Sequence, residues 1–282
     1  MEIIRDNIIK ITSDIKGPRR PNLHIINVGD NLASQLYIKK KCLFGKKCGI
    51  DVTVNNLPSL VTFDEVKSLI GNLNTDKTVD GVLTQLPIQI ADRKSYEITN
   101  LICNSKDVDG LNSMNISRLS RGHFEKTKSP QEQDFFLNGN LLALHHILKH
   151  INFTTRGKRA VVVGNGQLIG GPIADFMNYY CDSTVIHINE HSENFHKDIA
   201  EADILITGVG KSNFIKGDWI KPGSVVIDFG ISYKNGKEIH GDVEFPKAVD
   251  RAGYITPVPR GVGPVTVAML MENVLKAYFA NI

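Results

Sequence analysis

A glycine-rich turn between an expected strand and an expected helix limits the possible folds of this chain more than any other segment. The strand is Arg159–Val163, the turn covers 164–171 in the pattern G-x-G-x-x-x-G, and the helix covers 173–180. Glycines let the backbone approach a pyrophosphate, and a helix N-terminus adds N–H donors and the positive end of its dipole. Because a strand and a helix flank it, the turn predicts a dinucleotide site rather than a turn that only packs a helix on a sheet. The expected contact residues are Gly164, Asn165, Gly166 and Gly170.

An acidic residue, Glu190, follows the next expected strand, Thr184–Ile188. A carboxylate at this place accepts hydrogen bonds from the ribose hydroxyls of NAD and repels the 2′-phosphate of NADP, which instead requires an arginine. The glycine-rich turn contains no arginine or lysine. The sequence therefore favours NAD over NADP, with a solvated loop residue as the alternative interpretation of Glu190.

Strand and helix patterns alternate along both halves of the chain. Short β-branched runs separated by helical stretches are typical of parallel sheets with helices on their faces. Thr62 and Glu65 form a capping-box pattern that predicts the start of a helix. We therefore predict an α/β protein with two such units. The expected strands are 23–28, 50–54, 82–86, Arg159–Val163, Thr184–Ile188, Ile204–Thr207 and Val225–Asp228, and the longer expected helices are 33–48, 141–151, 173–180 and 264–280.

The stretch 120–135 separates the two halves. It is polar, has no hydrophobic period and predicts a loop or linker. The expected helix 141–151 follows it, and Asn140 is a residue type that caps helix N-termini. We place the boundary between the two domains at the end of this linker, after residue 135.

The composition excludes several classes of protein. With 282 residues, of which 41% are hydrophobic and 22% charged, the chain is long enough for about two folded domains and is not disordered. Its net charge of only +3 argues against nucleic-acid binding, and no apolar run approaches the roughly 18 residues of a membrane-spanning helix. The four cysteines form no CxxC pair and the first residues carry no secretory pattern, so we expect no metal site and a reduced, cytoplasmic protein.

Six segments, spread over most of the chain, carry recognisable motifs. In the first half, 28–41 contains Y-x-x-x-K, 80–87 contains Q-L-P, and 106–110 contains D-V-D-G. In the second half, the motifs are D-F-G-I at 228–231, G-D-V at 241–243 and I-T-P-V-P-R-G-V-G-P-V-T-V-A at 255–268. In this order the segments resemble the bifunctional methylenetetrahydrofolate dehydrogenase/methenyltetrahydrofolate cyclohydrolase family, and the final segment is the most specific.

The resemblance implies a folate-binding α/β domain over 1–135, completed by a C-terminal helix, 264–282, that returns to it. It implies a Rossmann-like, doubly wound parallel-sheet domain over 136–263 that binds NAD or NADP. Family members oxidise 5,10-methylenetetrahydrofolate to the methenyl cation by hydride transfer to a nicotinamide, and water then opens that cation to 10-formyltetrahydrofolate. The implied partners are tetrahydrofolate derivatives and a second copy of the chain in a homodimer, while no nucleic acid or membrane is expected.

Carried over by position, the family's catalytic lysine is Lys41, with Tyr37 one helical turn before it, and Gln85 and Asp109 complete the implied catalytic set. The i, i+4 spacing puts Tyr37 and Lys41 on one helix face. Opening of the ring needs an activated water and a protonated nitrogen. A lysine serves both only when burial or a nearby cation lowers its pKa from about 10.4 towards neutrality. The neutral Gln85 holds the amine without stabilising its charged form, and Asp109 accepts hydrogen bonds from pterin N–H groups.

The resemblance adds contact residues and also has gaps. Asn112 and Ser113 stand at the usual His-Pro, a Pro-Cys-Thr-Pro-x-Gly motif before the linker helix is missing, and Arg260 replaces a glycine. In the turn, Asn165 and Gly166 stand where many relatives have Arg-Ser. Two alternatives therefore stay open: a cyclohydrolase-only enzyme with a degenerate nucleotide site, and a non-catalytic folate- or nucleotide-binding relative. The further implied contacts are Gly208, Gly210 and Ile231 for the dinucleotide and, with Tyr37 and Asp109, Pro259 and Gly263 for the substrate.

Overall fold

The computed structural model describes residues 2–88, 90, 93–234 and 238–281, and the chain divides into two compact units. The first unit consists of Met1–Ser117, Lys128–Gly139 and Val267–Ile282, and the second of Arg118–Thr127 and Asn140–Thr266. Within the described ranges, no helix is both long enough and apolar enough to cross a membrane.

The first unit is built on a parallel sheet of three strands. The central strand β1 (Asn22–Val28) lies between β2 (Asp51–Leu57) and β3 (Gly81–Thr84). β1 and β3 are largely buried, whereas β2 contains no fully buried residue and has three exposed ones. The expected strands in this half are confirmed with shifted ends. The helices of this part of the chain are α1 (Glu2–Ser13), α2 (Leu32–Lys47), α3 (Phe63–Thr75), α4 (Ser95–Thr99) and α5 (Ser113–Ser120).

Side-chain hydrogen bonds cap the N-termini of α2 and α3, the two longest of these helices. The side chain of Asn31 accepts a hydrogen bond from the backbone N–H of Ser34 at 3.0 Å, which starts α2. The expected capping box at α3 is confirmed, because Thr62 and Glu65 bond each other's backbone N–H groups at 2.8 and 3.3 Å. Such caps satisfy N–H groups that have no partner inside the helix.

The second unit contains a parallel sheet of five strands, β4 (Arg159–Val163), β5 (Thr184–Ile188), β6 (Ile204–Thr207), β7 (Val225–Asp228) and β10 (Tyr254–Ile255). From one edge to the other, their order is β5-β4-β6-β7-β10. Numbered by their order along the chain, the five strands have the arrangement 2-1-3-4-5, one of the doubly wound orders. A separate antiparallel pair consists of β8 (Ser232–Lys234) and β9 (Glu238–His240). The remaining helices are α6 (Gly139–His150), α7 (Gly170–Tyr179), α8 (Phe195–Glu201), α9 (Phe245–Ala248) and α10 (Val262–Ala280).

The expected linker 120–135 is irregular apart from the end of α5 and one 3₁₀ turn, Pro130–Glu132. Its first part is anchored to the second unit by Lys126, whose Nζ donates to the carbonyl oxygens of Tyr179 and Tyr180 and to Asp182 Oδ1. These bonds explain why 118–127 packs with the second unit, although we placed the boundary after residue 135.

The predicted helix cap at Asn140 is wrong. The helix α6 begins one residue earlier, at Gly139, so Asn140 lies inside its first turn. The side-chain Nδ2 of Asn140 donates instead to the carbonyl oxygen of Leu168 at 3.3 Å, in the glycine-rich turn. A capping residue uses its side-chain oxygen as an acceptor, whereas this asparagine uses its amide as a donor across 28 residues.

Candidate functional site

The helix α2 brings Lys41 to the sheet of the first unit. One face of α2 is buried and includes Ser34, Ile38 and Gly45. Lys41 lies between Ile38 and Gly45 in sequence and is half-buried. A Cβ at Gly45 would lie 2.5 Å from Val52 Cγ2, so only glycine lets α2 pack this closely on β2. The Lys41 side chain is withdrawn from water, and burial is unfavourable for its charged form.

Lys41 and Gln85 are in direct contact. Lys41 Nζ donates to Gln85 Oε1 at 2.9 Å, across 44 residues of sequence. Gln85 follows β3 and is itself buried, and its Nε2 donates to the carbonyl oxygen of Leu86 at 2.9 Å. That second bond uses the amide NH₂ group and leaves the side-chain oxygen directed at the amine. The expected pairing of these two residues is therefore present in the geometry.

Asp109 completes the set of Lys41, Gln85 and Asp109, which we call the lysine cluster. Burial lowers the pKa of Lys41, and the charge of Asp109 opposes that effect. Burial likewise raises the pKa of Asp109, and the charge of Lys41 opposes it. Desolvation is the larger cause for both groups, so each is pushed towards its neutral form.

Tyr37 lies one turn before Lys41 on α2 and is half-buried. Lys40 Nζ stands 5.3 Å from the centroid of the Tyr37 ring, within the range of a cation–π contact. Tyr37 and Lys41 share a helix face at i, i+4 spacing, as the sequence predicts.

A network of buried amides and one carboxylate supports the loop that carries Asp109. Asp107 Oδ2 accepts from the backbone N–H of Asn112 at 2.9 Å and from Asn115 Nδ2 at 2.8 Å. Burial raises the pKa of Asp107 to about 6. Asn112, which stands where the family pattern has histidine, is only 3% exposed and donates through its Nδ2 to Asn104 Oδ1. No sequence pattern indicates this role of Asp107 and Asn115, because the partners are recognisable only in three dimensions.

Three glycines shape the glycine-rich turn of the second unit. Gly164 has a φ of +109°, and a Cβ there would lie 3.0 Å from the carbonyl oxygen of Gly208. A Cβ at Gly170 would lie 1.7 Å from the carbonyl oxygen of Gly164, so no other residue fits at the start of α7. At Gly166, by contrast, a Cβ would meet nothing within 4 Å. The first and third glycines thus permit close packing of helix on strand, and the second leaves open space for a pyrophosphate.

Two side chains from elsewhere in the second unit hold this turn. His187 Nε2, from β5, lies 2.9 Å from the carbonyl oxygen of Gly164, and Asn140 bonds Leu168. Asn165 and Gly166 are exposed between these anchors. Glu190 follows β5, and its side chain is 77% exposed, with His191 Nε2 3.9 Å away. The carboxylate is therefore free to accept hydrogen bonds from a ribose.

Buried carboxylates hold the loops with the other expected dinucleotide contacts. Asp242 accepts from the backbone N–H groups of Val209 at 2.6 Å and Lys211 at 2.8 Å. Asp228 accepts from the backbone N–H of Gly230 at 2.7 Å, and burial raises its pKa to about 6. These bonds fix the loops that carry Gly208, Gly210 and Ile231.

The segment 255–268 precedes and opens α10. Pro259 is exposed and follows a cis peptide bond, and Gly263 is half-buried in the first turn of the helix. Arg260 is exposed and has a φ of +76°, a conformation that costs a residue with a side chain about 1 kcal/mol more than glycine. The glycine of the family pattern thus fits the backbone better than the arginine present here.

Comparison with known proteins agrees with both halves of this geometry. Residues 2–109 match the catalytic domain of tetrahydrofolate dehydrogenase/cyclohydrolase, and residues 141–282 match its NAD(P)-binding domain. The chain belongs to the tetrahydrofolate dehydrogenase/cyclohydrolase family. The expected α/β architecture with a Rossmann-like second domain is confirmed by its solved relatives.

Individual members of the family cover the chain from end to end. The bifunctional FolD enzyme of Campylobacter jejuni is 33% identical, with a TM-score of 0.92. The alignment covers 100% of this chain and 96% of the Campylobacter jejuni chain. The Trypanosoma brucei enzyme, solved with NADP and an inhibitor, is 29% identical, with a TM-score of 0.90 over 99% and 94% of the two chains. Human cytoplasmic C-1-tetrahydrofolate synthase is 35% identical over 97% of this chain. This chain spans only 29% of that protein's length.

Proposed function

We propose that this chain oxidises 5,10-methylenetetrahydrofolate to 5,10-methenyltetrahydrofolate with a nicotinamide cofactor and then hydrolyses the product to 10-formyltetrahydrofolate. The observation that carries the proposal is the 2.9 Å bond between Lys41 Nζ and Gln85 Oε1, at an amine whose pKa is lowered by burial. This combination favours the uncharged amine, which can act as a base, beside a neutral acceptor that holds it in place.

In the hydrolytic half of the reaction, water adds to the methenyl carbon between N5 and N10 of the folate. Lys41, in its amine form, takes a proton from that water while Gln85 holds its Nζ in position. The bond from the carbon to N5 then breaks while the added hydroxyl releases its proton to solvent and becomes the formyl carbonyl. Lys41 returns the first proton to N5, and the formyl group stays on N10. Lys41 is neutral before and after the cycle, which is why a lowered pKa matters for turnover.

Asp109 and Tyr37 hold the substrate in this proposal. The carboxylate of Asp109 accepts hydrogen bonds from the pterin amino and ring N–H groups, and the phenol ring of Tyr37 packs beside the folate. In the oxidative half, the methylene carbon becomes cationic as it loses hydride, so orientation contributes more than a strong base. Pro259 and Gly263 are further proposed substrate contacts.

NAD or NADP, when bound, accepts the hydride at its nicotinamide ring. The open space at Gly166 and the N–H groups at the start of α7 fit a pyrophosphate, so the residues present suit the cofactor. The exposed carboxylate of Glu190 supports a preference for NAD, since it accepts from ribose hydroxyls and repels a 2′-phosphate. The loops at Gly208, Gly210 and Ile231 contribute the remaining contacts.

The family relationship also bears on location and assembly. The human relative is named as cytoplasmic, which supports a cytoplasmic enzyme. We also propose a homodimer, on the resemblance alone.

The direct experiment mixes the purified chain with 5,10-methylenetetrahydrofolate and either NAD or NADP and follows methenyl absorbance. We expect absorbance to rise and then decay faster than in a blank. The matched pair of variants is K41M and K40M, which remove adjacent lysines of the same helix. K41M is expected to abolish the decay, and K40M to retain it.

Other outcomes would select the alternatives. A flat trace with both cofactors, together with enzyme-dependent decay of added methenyltetrahydrofolate, would indicate a cyclohydrolase without dehydrogenase activity. No change in both assays would contradict the proposal and leave a binding protein.

A further inference from the structure

A buried asparagine of the C-terminal helix bonds the loop that carries Asp109. Asn273, on α10, is 2% exposed. Its Nδ2 donates to the carbonyl oxygen of Val108 at 2.8 Å and to that of Leu137 at 2.9 Å. Both hydrogens of one amide are thus used to join two segments that lie 165 and 136 residues away in sequence. All of these residues belong to the first unit.

The Val108 carbonyl has a specific relation to Asp109. It belongs to the peptide plane that immediately precedes the Cα of Asp109, so a bond to its oxygen fixes one side of the Asp109 backbone. On the other side, Gly110 has a φ of +64°, and a Cβ there would lie 2.7 Å from the carbonyl oxygen of Phe136. The loop is therefore held against 136–138 by close contact and by the amide of Asn273.

A second asparagine joins the same two segments. Asn115 Oδ1 accepts from the backbone N–H of Phe136 at 3.2 Å, while its Nδ2 donates to Asp107 Oδ2. The segment 107–110 thus has one anchor from α5, at the side chain of Asp107, and one from α10, at the backbone carbonyl of Val108. Of these anchors, only Asn273 bonds a peptide plane adjoining Asp109 through a side chain.

We infer that Asn273 is a positioning residue for Asp109, which holds the carboxylate at the distance and angle that a pterin requires. The inference rests on the proposed function, because it assigns a purpose to the carboxylate. It differs from a general stabilising role in one respect: loss of the amide moves a substrate-binding group and leaves the dinucleotide turn intact.

Asn273→Leu is the informative substitution, because leucine has the same branched arrangement of four side-chain heavy atoms and removes both donors. The two carbonyl oxygens then lie buried without these partners, and a lost hydrogen bond of this kind is unfavourable. The matched control is Lys276→Met, one turn later on the same helix. Lys276 Nζ donates to the carbonyl oxygens of Gln133 and Phe135, at 2.6 and 2.7 Å, and lies 4.9 Å from the centroid of the Phe136 ring. It thus joins α10 to nearly the same segment, and none of its described hydrogen bonds goes to 107–110.

Two readouts separate positioning from stability. In steady-state kinetics, N273L is expected to raise the KM for 5,10-methylenetetrahydrofolate about tenfold, while kcat and the KM for the dinucleotide change less than about threefold. In hydrogen exchange followed by mass spectrometry, peptides that cover 107–112 are expected to exchange faster in N273L than in wild type. K276M is expected to leave both readouts at their wild-type values. If N273L does not fold, N273S takes its place, with the same pattern expected.

Three results are decisive. A rise in folate KM and faster exchange in N273L alone supports the inference. Equal kinetic constants in N273L and wild type, or equal changes in N273L and K276M, would overturn it while the proposed function stands. An inactive wild-type protein would instead overturn the proposed function, and the role of Asn273 in the reaction with it.

Discussion

The lysine cluster of the first unit and the glycine-rich turn of the second differ in what their residues contribute. In the lysine cluster, titratable side chains are held where water cannot fully solvate them, and burial moves the pKa of Lys41 down and that of Asp109 up. In the turn, side chains are absent where backbone must approach backbone, as at Gly170 beside Gly164. The first site depends on the functional groups of its side chains, and the second on the absence of side chains at its glycines.

This difference predicts different responses to substitution. Removing the functional group from the lysine cluster is expected to abolish chemistry and leave the fold nearly intact. Adding a single methyl group to the turn is expected to damage the local fold and cofactor binding together. The first three of the four predictions below test that contrast and run from the largest expected change in function to the smallest, and the fourth concerns stability alone.

Removal of the amine gives the largest effect. K41M is expected to slow enzymatic hydrolysis of methenyltetrahydrofolate by about a thousandfold, because the reaction loses its acid–base group. Decay of methenyl absorbance measures the rate, and K40M, which alters an exposed lysine beside it, is the control. Retention of more than about a tenth of the wild-type rate in K41M would remove Lys41 from its proposed role.

A methyl group in the turn gives the next effect. G170A places a Cβ 1.7 Å from the Gly164 carbonyl oxygen, so we expect a loss of about 1–3 kcal/mol in unfolding free energy and dinucleotide binding weakened about a hundredfold. The control is G171A, where the nearest atom to the new Cβ is 3.8 Å away. Thermal melting and a fluorescence titration with NAD provide the measurements. Equal behaviour of the two variants would contradict the packing argument.

The charge at the end of β5 gives a smaller effect. E190Q is expected to reduce the preference for NAD over NADP about tenfold, since a neutral amide no longer repels a 2′-phosphate. The ratio of kcat/KM values with the two cofactors measures the preference. E193Q, which neutralises a nearby exposed carboxylate, is the control. An unchanged ratio in E190Q would remove Glu190 from cofactor selection.

Protonation of Asp107 affects the stability of the fold. Its folded-state pKa of about 6 lies above the ordinary value of 3.8, so the folded protein binds more protons than the unfolded chain between these values. Wild type therefore loses stability as pH rises through that window. The amide introduced in D107N does not titrate in this window, so the unfolding free energy of that variant lacks this pH-dependent loss. The difference in unfolding free energy, D107N minus wild type, is expected to increase by about 1–3 kcal/mol from pH ~4 to pH ~7.

Denaturant unfolding at both pH values measures the difference. A constant difference between D107N and wild type across the window would show that Asp107 does not take up the proton. The isosteric amide still accepts at its oxygen from Asn112, so the comparison is made on a similar network.

The sequence predicted local structure well where the signal lies within a few residues. The capping box at Thr62 and Glu65, the strand Arg159–Val163 and the glycine spacing are all short-range patterns, and the structure contains each of them. The pairing of Lys41 with Gln85 came from the family resemblance rather than from spacing, since 44 residues separate them.

Long-range hydrogen bonds explain the failures. Asn140 has the right residue type for a cap, but its side-chain amide donates a hydrogen bond to the carbonyl oxygen of Leu168, 28 residues later. Asn273 gave no signal, because an asparagine inside an apolar helix pattern does not reveal partners at Val108 and Leu137. Local propensity is decided by neighbours in sequence, whereas these roles are decided by neighbours in space.

The pH dependence of methenyltetrahydrofolate hydrolysis, compared between wild type and K41M, tests the central claim most directly. If the buried amine of Lys41 is the base, wild-type activity rises with pH along a limb whose apparent pKa lies well below the ordinary lysine value of 10.5, and K41M has no such limb. A wild-type limb that appears only near 10.5, or one that persists unchanged in K41M, would contradict the account.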